Sequence, residues 1–323
     1  MKYKFLPAAL LLWALCTNLV AQPQNYPAEP VKIIVGFPPG QATDILARLI
    51  AEHLQRELKQ PFIVENRPGA GGDLAVTAGA KSTPDGYMLV MTSAGPHSIA
   101  PSLYPNLGYN PLKDFTAISL VATIPQFIYA NPATPAATVR EMIDLAKKSP
   151  GSLSYASSGN GLPGHIIMEI LKKDAGIEIR HVPYIGSGSA LTGVAGGTVN
   201  FGVDTAASVL PLYKAGKIKV LGVTSRKRTG VAPEVLSMAE QGFTNFDYSA
   251  WIGIVGPANL PPAVTRKLSL TIGGNLANPD VVKRISDLGM DVAPLQQKQF
   301  DRWIQDELKR WTSAVKLSGA KID

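Results

Sequence analysis

Two stretches of this chain repeat one local grammar: a strand runs into a glycine-rich turn, and the turn opens directly into a helix. The first is Lys32-Ile33-Ile34-Val35-Gly36-Phe37-Pro38-Pro39-Gly40-Gln41-Ala42-Thr43-Asp44, and the second is Ser154-Tyr155-Ala156-Ser157-Ser158-Gly159-Asn160-Gly161. The β-branched run from Val31 to Val35, interrupted by Lys32 alone, fits a strand covered on both faces, and strands alternating with helices build layered α/β folds. A helix N-terminus leaves its first backbone N–H groups unpaired and carries a partial positive charge. Each turn is therefore suited to an anion such as a carboxylate, and two of them facing each other would form a clamp.

The rest of the chain keeps the same order. Leu46, Leu49, Ile50, Leu54 and Leu58 share one face of a helix predicted over 45–58, capped by Thr43 or Asp44. A strand at 62–64 precedes Asn66-Arg67-Pro68-Gly69-Ala70-Gly71-Gly72-Asp73, a small-residue helix at 74–80 and a strand at 87–92. An apolar run from Ile118 to Tyr129 passes through Pro125 and stops at Asn131-Pro132. Thr138-Val139-Arg140-Glu141 reads as a capping box opening a helix that Pro150-Gly151 ends. A second series follows, with strands at 153–156, 180–184, 199–203 and 218–224, and helices at 166–171, 190–194 and 209–215. A strand at 248–255 and two amphipathic helices, over 262–276 and 298–317, close the chain. The alternation indicates parallel sheets, which bind ligands at the carboxyl ends of their strands, where both turns fall.

Met1-Lys2-Tyr3-Lys4 is a basic head followed by an apolar stretch from Phe5 to Val20, which reads as an export signal cut near Ala21. Cys16, the single cysteine, lies inside it, so the mature chain would have no thiol for catalysis, disulfides or metal binding. The roughly 300 residues beyond Ala21 suffice for two units of ordinary size. The formal charge is +7, two of it from Lys2 and Lys4, and the longest basic cluster is Arg226-Lys227-Arg228. With 7% aromatics and no binding motif, nucleic acid is not an expected partner.

Several segments resemble the substrate-binding proteins of tripartite tricarboxylate transporters, the Bug-type receptors. They are Tyr26-Pro27 with Pro30-Val31-Lys32-Ile33-Ile34-Val35, Phe37-Pro38-Pro39-Gly40 with Thr43-Asp44, and Glu65-Asn66-Arg67-Pro68-Gly69-Ala70-Gly71-Gly72. Further on come Ser82-x-Pro84-Asp85-Gly86-Tyr87, Tyr155-Ala156-Ser157-Ser158-Gly159-Asn160-Gly161, His181-Val182-Pro183-Tyr184 and Trp251-x-Gly253. The resemblance covers essentially the whole mature chain, and the specificity lies in the order and spacing of motifs that are individually weak.

It implies a periplasmic type II binding protein: two α/β lobes, two hinge crossings and a ligand enclosed on closure. Lobe 1 would comprise residues 22–122 with 248–323, and lobe 2 residues 123–247. Members capture small organic acids, among them di- and tricarboxylates, acidic amino acids and aromatic carboxylates, and deliver them to two integral membrane subunits; a monomer is expected, with no cofactor. The candidate ligand residues are Phe37, Pro39, Gly40, Gln41, Ala42 and Thr43 in the first turn, Asn66, Gly71 and Ser93 beside it, and Ser157, Ser158, Asn160, His165, Tyr184, Ser187 and Asp204 in the second lobe. Gln41 stands where the family usually has a second glycine, and Asp73 where an asparagine is common; Asp73 reads as a helix cap.

Duller readings stand beside these. The 37–40 segment is also a tight connection, Asp44 a first-turn helix stabiliser, Ser157, Ser158 and Asn160 ordinary turn formers, and His165 a satisfied helix-terminal histidine. Asp204 would meet an ammonium group or order the hinge, and Tyr184 would wall the cleft or pack inside its lobe. The rival function is an exported enzyme. Gly159-Asn160-Gly161-Leu162-Pro163-Gly164 has the spacing of a dinucleotide fingerprint, but Glu178 falls short of the ribose-acid distance and Pro163 interrupts the motif. Gly-x-Ser-x-Gly does not occur, and His53, His97, His165 and His181 lack close metal-ligand spacing.

Overall fold

β1 (Val31–Val35), buried at four of its five positions, pairs in parallel with β2 (Phe62–Asn66) on one side and with β3 (Met88–Ser93) on the other. The computed structural model describes residues 26–320, so the export signal, its cleavage position and Cys16 lie outside the described residues. The crossovers are α1 (Ala42–Leu58) and α2 (Asp73–Ala80). After β3 come a π-helical turn, Gly95–Ile99, and the short helix α3 (Ala100–Leu103).

β4 (Phe115–Ala130) joins two sheets. Its residues 115–125 run antiparallel to β9 (Ser249–Pro257), which continues beside β3. Its residues 126–130 run antiparallel to β7 (Phe201–Thr205), and 127–130 also meet β8 (Lys219–Val223). In that second sheet β5 (Ser154–Ser157) pairs in parallel with β6 (Arg180–Pro183) and with β7. Its helices are α4 (Val139–Lys148), α5 (Pro163–Ala175), α6 (Ser187–Ala195) and α7 (Ala206–Lys214). The chain ends with α8 (Pro262–Leu276), α9 (Pro279–Asp287), β10 (Asp291–Val292) beside β4, and α10 (Gln297–Ser318), which packs on β4 and α5.

Each lobe thus has a parallel centre, as alternation predicts, but the sheets are mixed. A chain that leaves one lobe and later returns must run in opposite directions at the two crossings, and β4 and β9 do so. Beyond the β4–β9 ladder, the crossings are also tied through one residue. The buried Thr224 donates its Oγ1 to the Tyr248 carbonyl (2.6 Å), accepts from the Gln126 amide (2.9 Å), and donates its own amide to the Gln126 carbonyl (2.8 Å).

Local signals placed most elements to within a few residues. Thr138 accepts from the Glu141 amide (3.1 Å) and Glu141 accepts from the Ala137 amide (2.7 Å), closing the capping box one residue further back than its usual form. α1 begins earlier than predicted: Gln41 is its N-cap, and Asp44 lies inside the first turn rather than capping it. α9 was missed between the two expected C-terminal helices, although Asn278, which accepts from the Asp280 amide (2.9 Å), and Pro279 are a start signal. Asp73 is not a cap. It is the first residue of α2, and its carboxylate accepts from Tyr109 (2.8 Å).

Candidate functional site

Between the lobes lies a cavity of about 60 Å³ walled by both sheets. Lobe 1 supplies Phe37, Gln41, Ala42, Thr43 and Ser93, together with Ile124, Gln126, Ala250, Trp251 and Ile252 from the crossing strands. Lobe 2 supplies Ser158, Leu162, Pro163, Gly164, Ser187, Asp204 and Thr205. Four helices open on it. Ala42 and Thr43 begin α1, Pro163 and Gly164 begin α5, Ser187 begins α6, and Thr205 is the N-cap of α7. The first amides of each helix have no partner within it, and the partial charges at these termini are all positive. Among the described residues, no Lys, Arg or His lines the cavity, and Asp204 is its one acidic residue. Among the described residues, positive potential here comes from backbone dipoles and the Gln41 amide.

The α1 end is held rigidly from behind. Asp44 Oδ2 accepts from the Gly40 amide (2.9 Å) and from Arg48 Nε (3.1 Å), and Oδ1 accepts from Asn66 Nδ2 (2.9 Å), which also donates to the Phe37 carbonyl (2.9 Å). Burial works against the Asp44 charge, but these hydrogen bonds outweigh it and hold the carboxyl below its ordinary range. Asp44 and Asn66 therefore shape the turn without lining the cavity.

Two polar atoms here are buried without a hydrogen-bond partner, Gln41 Nε2 on one lobe and Asp204 Oδ2 on the other. Asp204 Oδ1 is occupied, accepting from the Thr205 amide (2.7 Å) and Ser187 Oγ (2.9 Å). Burial pushes its carboxyl up to about 6, against the pull of those donors and of the Ser158 hydroxyl.

Half of the sixteen sequence candidates meet in this cavity: Phe37, Gln41, Ala42, Thr43, Ser93, Ser158, Ser187 and Asp204. Five more line two larger clefts at the mouth, Gly71, Asn160 and Tyr184 in one of about 380 Å³ and Pro39 and Gly40 in another of about 420 Å³. Three line none of these spaces. Asn66 braces the first turn; Ser157 Oγ bonds His181 Nε2 (2.7 Å); His165 accepts from the Gly161 amide (3.1 Å) and stacks on His181 at 4.1 Å. Burial lowers His165 to about 4, so its ring is neutral at pH 7. Sequence reasoning missed Gln126, Leu162 and Trp251. Pro125 inside an apolar strand was the available signal for the first, and Trp251-x-Gly253 for the last.

The lobes touch around the cavity. A Cβ built on Gly95 would lie 2.6 Å from Leu162 Cδ2, and one on Gly71 3.8 Å from the same atom. A Cβ on Gly186, whose φ is +88°, would lie 2.7 Å from Gln41 Nε2. This is a closed arrangement in which glycines let the opposing loops approach.

A family model described as the tripartite tricarboxylate transporter family receptor matches residues 46–319. The chain is 34% identical over 299 residues to protein BugT of Bordetella pertussis, covering 92% of each chain. Its fold matches R. palustris Rpa4515 solved with adipate at a TM-score of 0.89 and 30% identity, over 92% of this chain and 100% of that one. It matches the periplasmic binding protein BugD at a TM-score of 0.86 and 32% identity, over 92% and 99%. The chain therefore belongs to the tripartite tricarboxylate transporter receptor family, whose members are two-lobed periplasmic solute-binding receptors and not enzymes.

Proposed function

We propose that this receptor captures a small organic acid in the interlobar cavity and hands it to a tripartite tricarboxylate-type uptake system with two integral membrane subunits. The observation that carries the reading is the convergence of four helix N-termini and the unpartnered Gln41 Nε2 on one cavity that no cationic side chain among the described residues lines. One carboxylate sits against the first amides of α1 and Gln41, while Ser158, Ser187 and the α5–α7 ends close over it from the other lobe. The adipate held by Rpa4515 supports a carboxylate class. The lobes, residues 22–122 with 248–323 and residues 123–247, open and close about Gln126, Thr224 and Tyr248. The ligand acts by stabilising the closed form, to which it alone can bind from both sides. The receptor works as an exported monomer, its signal cut near Ala21.

The test is thermal unfolding of the mature chain against mono-, di- and tricarboxylates, acidic amino acids and aromatic acids, after unfolding and refolding to strip any copurified ligand. Ligand at a hundredfold over its Kd adds about 2.7 kcal/mol, a shift of a few degrees. A shift confined to one carboxylate subclass establishes the reading and names the class. No shift with any acid rejects it.

A further inference from the structure

Asp204 raises a problem that the receptor reading, on which this inference rests, does not solve. A carboxylate ligand must enter a cavity whose one ionisable wall residue among the described residues is itself a carboxyl, with no described Lys, Arg or His to offset a second negative charge. The side chain is not merely a structural tie. Oδ1 takes the two well-formed hydrogen bonds, from Ser187 at the start of α6 and from the Thr205 amide at the start of α7, and the Ser158 and Thr205 hydroxyls exert a weaker pull on the carboxyl, whereas Oδ2 is buried on the cavity wall with no well-formed hydrogen bond. A carboxylate and an Oδ2 lone pair cannot share a closed space, but a carboxylate and an Oδ2–H can.

We propose that ligand capture is coupled to proton uptake at Asp204: in the open form Oδ2 takes one proton from solvent, and on closure that O–H faces the bound acid as a donor. One proton is bound per ligand, and none is released elsewhere in the cavity. The titratable neighbours do not compete for this role. Tyr129, from β4, is wholly buried and its phenol is held well above its ordinary range by burial and then by Asp204; Tyr184 adds a smaller effect on Tyr129. The remaining neighbours, Ser158, Ser187, Thr205, Gln41 and Gln126, do not titrate near neutrality. Burial already brings the Asp204 carboxyl up to about 6, so protonation near neutral pH needs only the further push that an approaching anion supplies.

The sign follows. A ligand carboxylate raises the pKa of Asp204 in the complex above its value in the free receptor. Affinity is therefore full below the free-state value and falls as pH rises beyond it, by at most tenfold per pH unit, until the value in the complex is passed.

The experiment is titration calorimetry on the refolded mature chain with succinate, malate, glutarate and adipate, and with their amine-bearing counterparts aspartate, glutamate and 2-aminoadipate. It is run at about pH 5.5 and about pH 7.5, in buffers of differing ionisation enthalpy, on the wild type and on Asp204→Asn. The amide keeps an oxygen for Ser187 and Thr205 and presents a permanent donor where Oδ2 stood. The expected result is about tenfold weaker binding of the plain acid at the higher pH, with uptake of close to one proton there. Asp204→Asn then binds without pH dependence and, at about pH 7.5, about tenfold more tightly than the wild type. An acid that binds wild type with no proton uptake and no pH dependence overturns the proposal and leaves the receptor reading intact, even if Asp204→Asn fails to fold. An amine-bearing ligand that binds best and without proton uptake also overturns it, making Asp204 the partner of an ammonium group. Binding of no carboxylate at either pH rejects the receptor reading and this inference together.

Discussion

Gln41→Ala separates binding from folding because its two effects have opposite signs. Gln41 Nε2 is buried without a partner in the closed form, and the side chain makes no capping bond to α1, so truncation removes a liability and breaks no hydrogen bond. An unsatisfied buried donor costs about 1–3 kcal/mol, so truncation stabilises the closed, ligand-free form by up to that amount. In an open form Gln41 is hydrated and the gain vanishes. Unfolding in urea without ligand is thus expected to show unchanged or slightly higher stability. A donor facing a charged carboxylate contributes about 1.5–3 kcal/mol, so the same variant should bind its acid roughly tenfold to a hundredfold more weakly by titration calorimetry. Alanine is preferable to glycine here because it leaves the loop's backbone entropy nearly unchanged. An affinity within about twofold of wild type, together with a loss of stability, would refute the reasoning and make Gln41 a strut between lobes rather than a ligand contact.

Three further predictions probe closure, hinge and core. Leu162→Ala removes the side chain that packs on Gly71 and Gly95 across the lobes, so affinity should fall about five- to thirtyfold, while ligand-free stability falls by less than the ~2–5 kcal/mol of a core leucine; a core-sized loss with unchanged affinity sinks it. Thr224→Val keeps shape but strips the hydroxyl that joins both crossings, and urea unfolding should report a loss of about 2–4 kcal/mol; a loss below about 0.5 kcal/mol means the crossings are held otherwise. Asp73 is pushed up to about 6 by burial, partly opposed by the Tyr109 hydrogen bond. The Tyr109 hydroxyl also stands 2.6 Å from the Pro96 carbonyl, and its one proton cannot serve both acceptors, so a proton on Asp73 completes the chain. With the folded value above the unfolded one, charging Asp73 costs stability fully above about pH 6, and wild-type stability should rise as pH falls from about 7 to about 4. Asp73→Asn should remove Asp73's share of that rise, leaving the share of Asp204, and gain about 1–3 kcal/mol near neutrality; parallel pH profiles for the two proteins would count against it.

How far the fold could be read without coordinates differs from element to element. The Val31–Val35 run, the Thr138 capping box and the leucine face of α1 carry their own evidence, because each depends on residues within one or two turns of itself. α9 slipped through because nine residues give little periodicity to detect. The antiparallel placement of β4 and β9 carries no local mark, since strand direction is set by how the chain crosses between lobes. In the cavity, Gln41, Thr43, Ser158 and Asp204 were legible because strand-to-helix turns announce themselves through glycine, proline and small polar residues. His165 and Ser157 belong to such a turn as well, yet they face a stack with His181 and not the cavity.

What the sequence by itself determined was the repeated strand–turn–helix unit, the layered α/β class, the family and the suitability of its turns for an anion, all of which follow from spacing within short segments. What only the tertiary structure decided was which turns converge and with what polarity. Gln126, Ala250 and Trp251 reach the cavity because β4 and β9 run side by side, and among the described residues Asp204 is the one ionisable group that lines it. Burial, unpaired atoms and shifted pKa values are properties of an enclosed space, and that space exists only once residues far apart in the chain close around it.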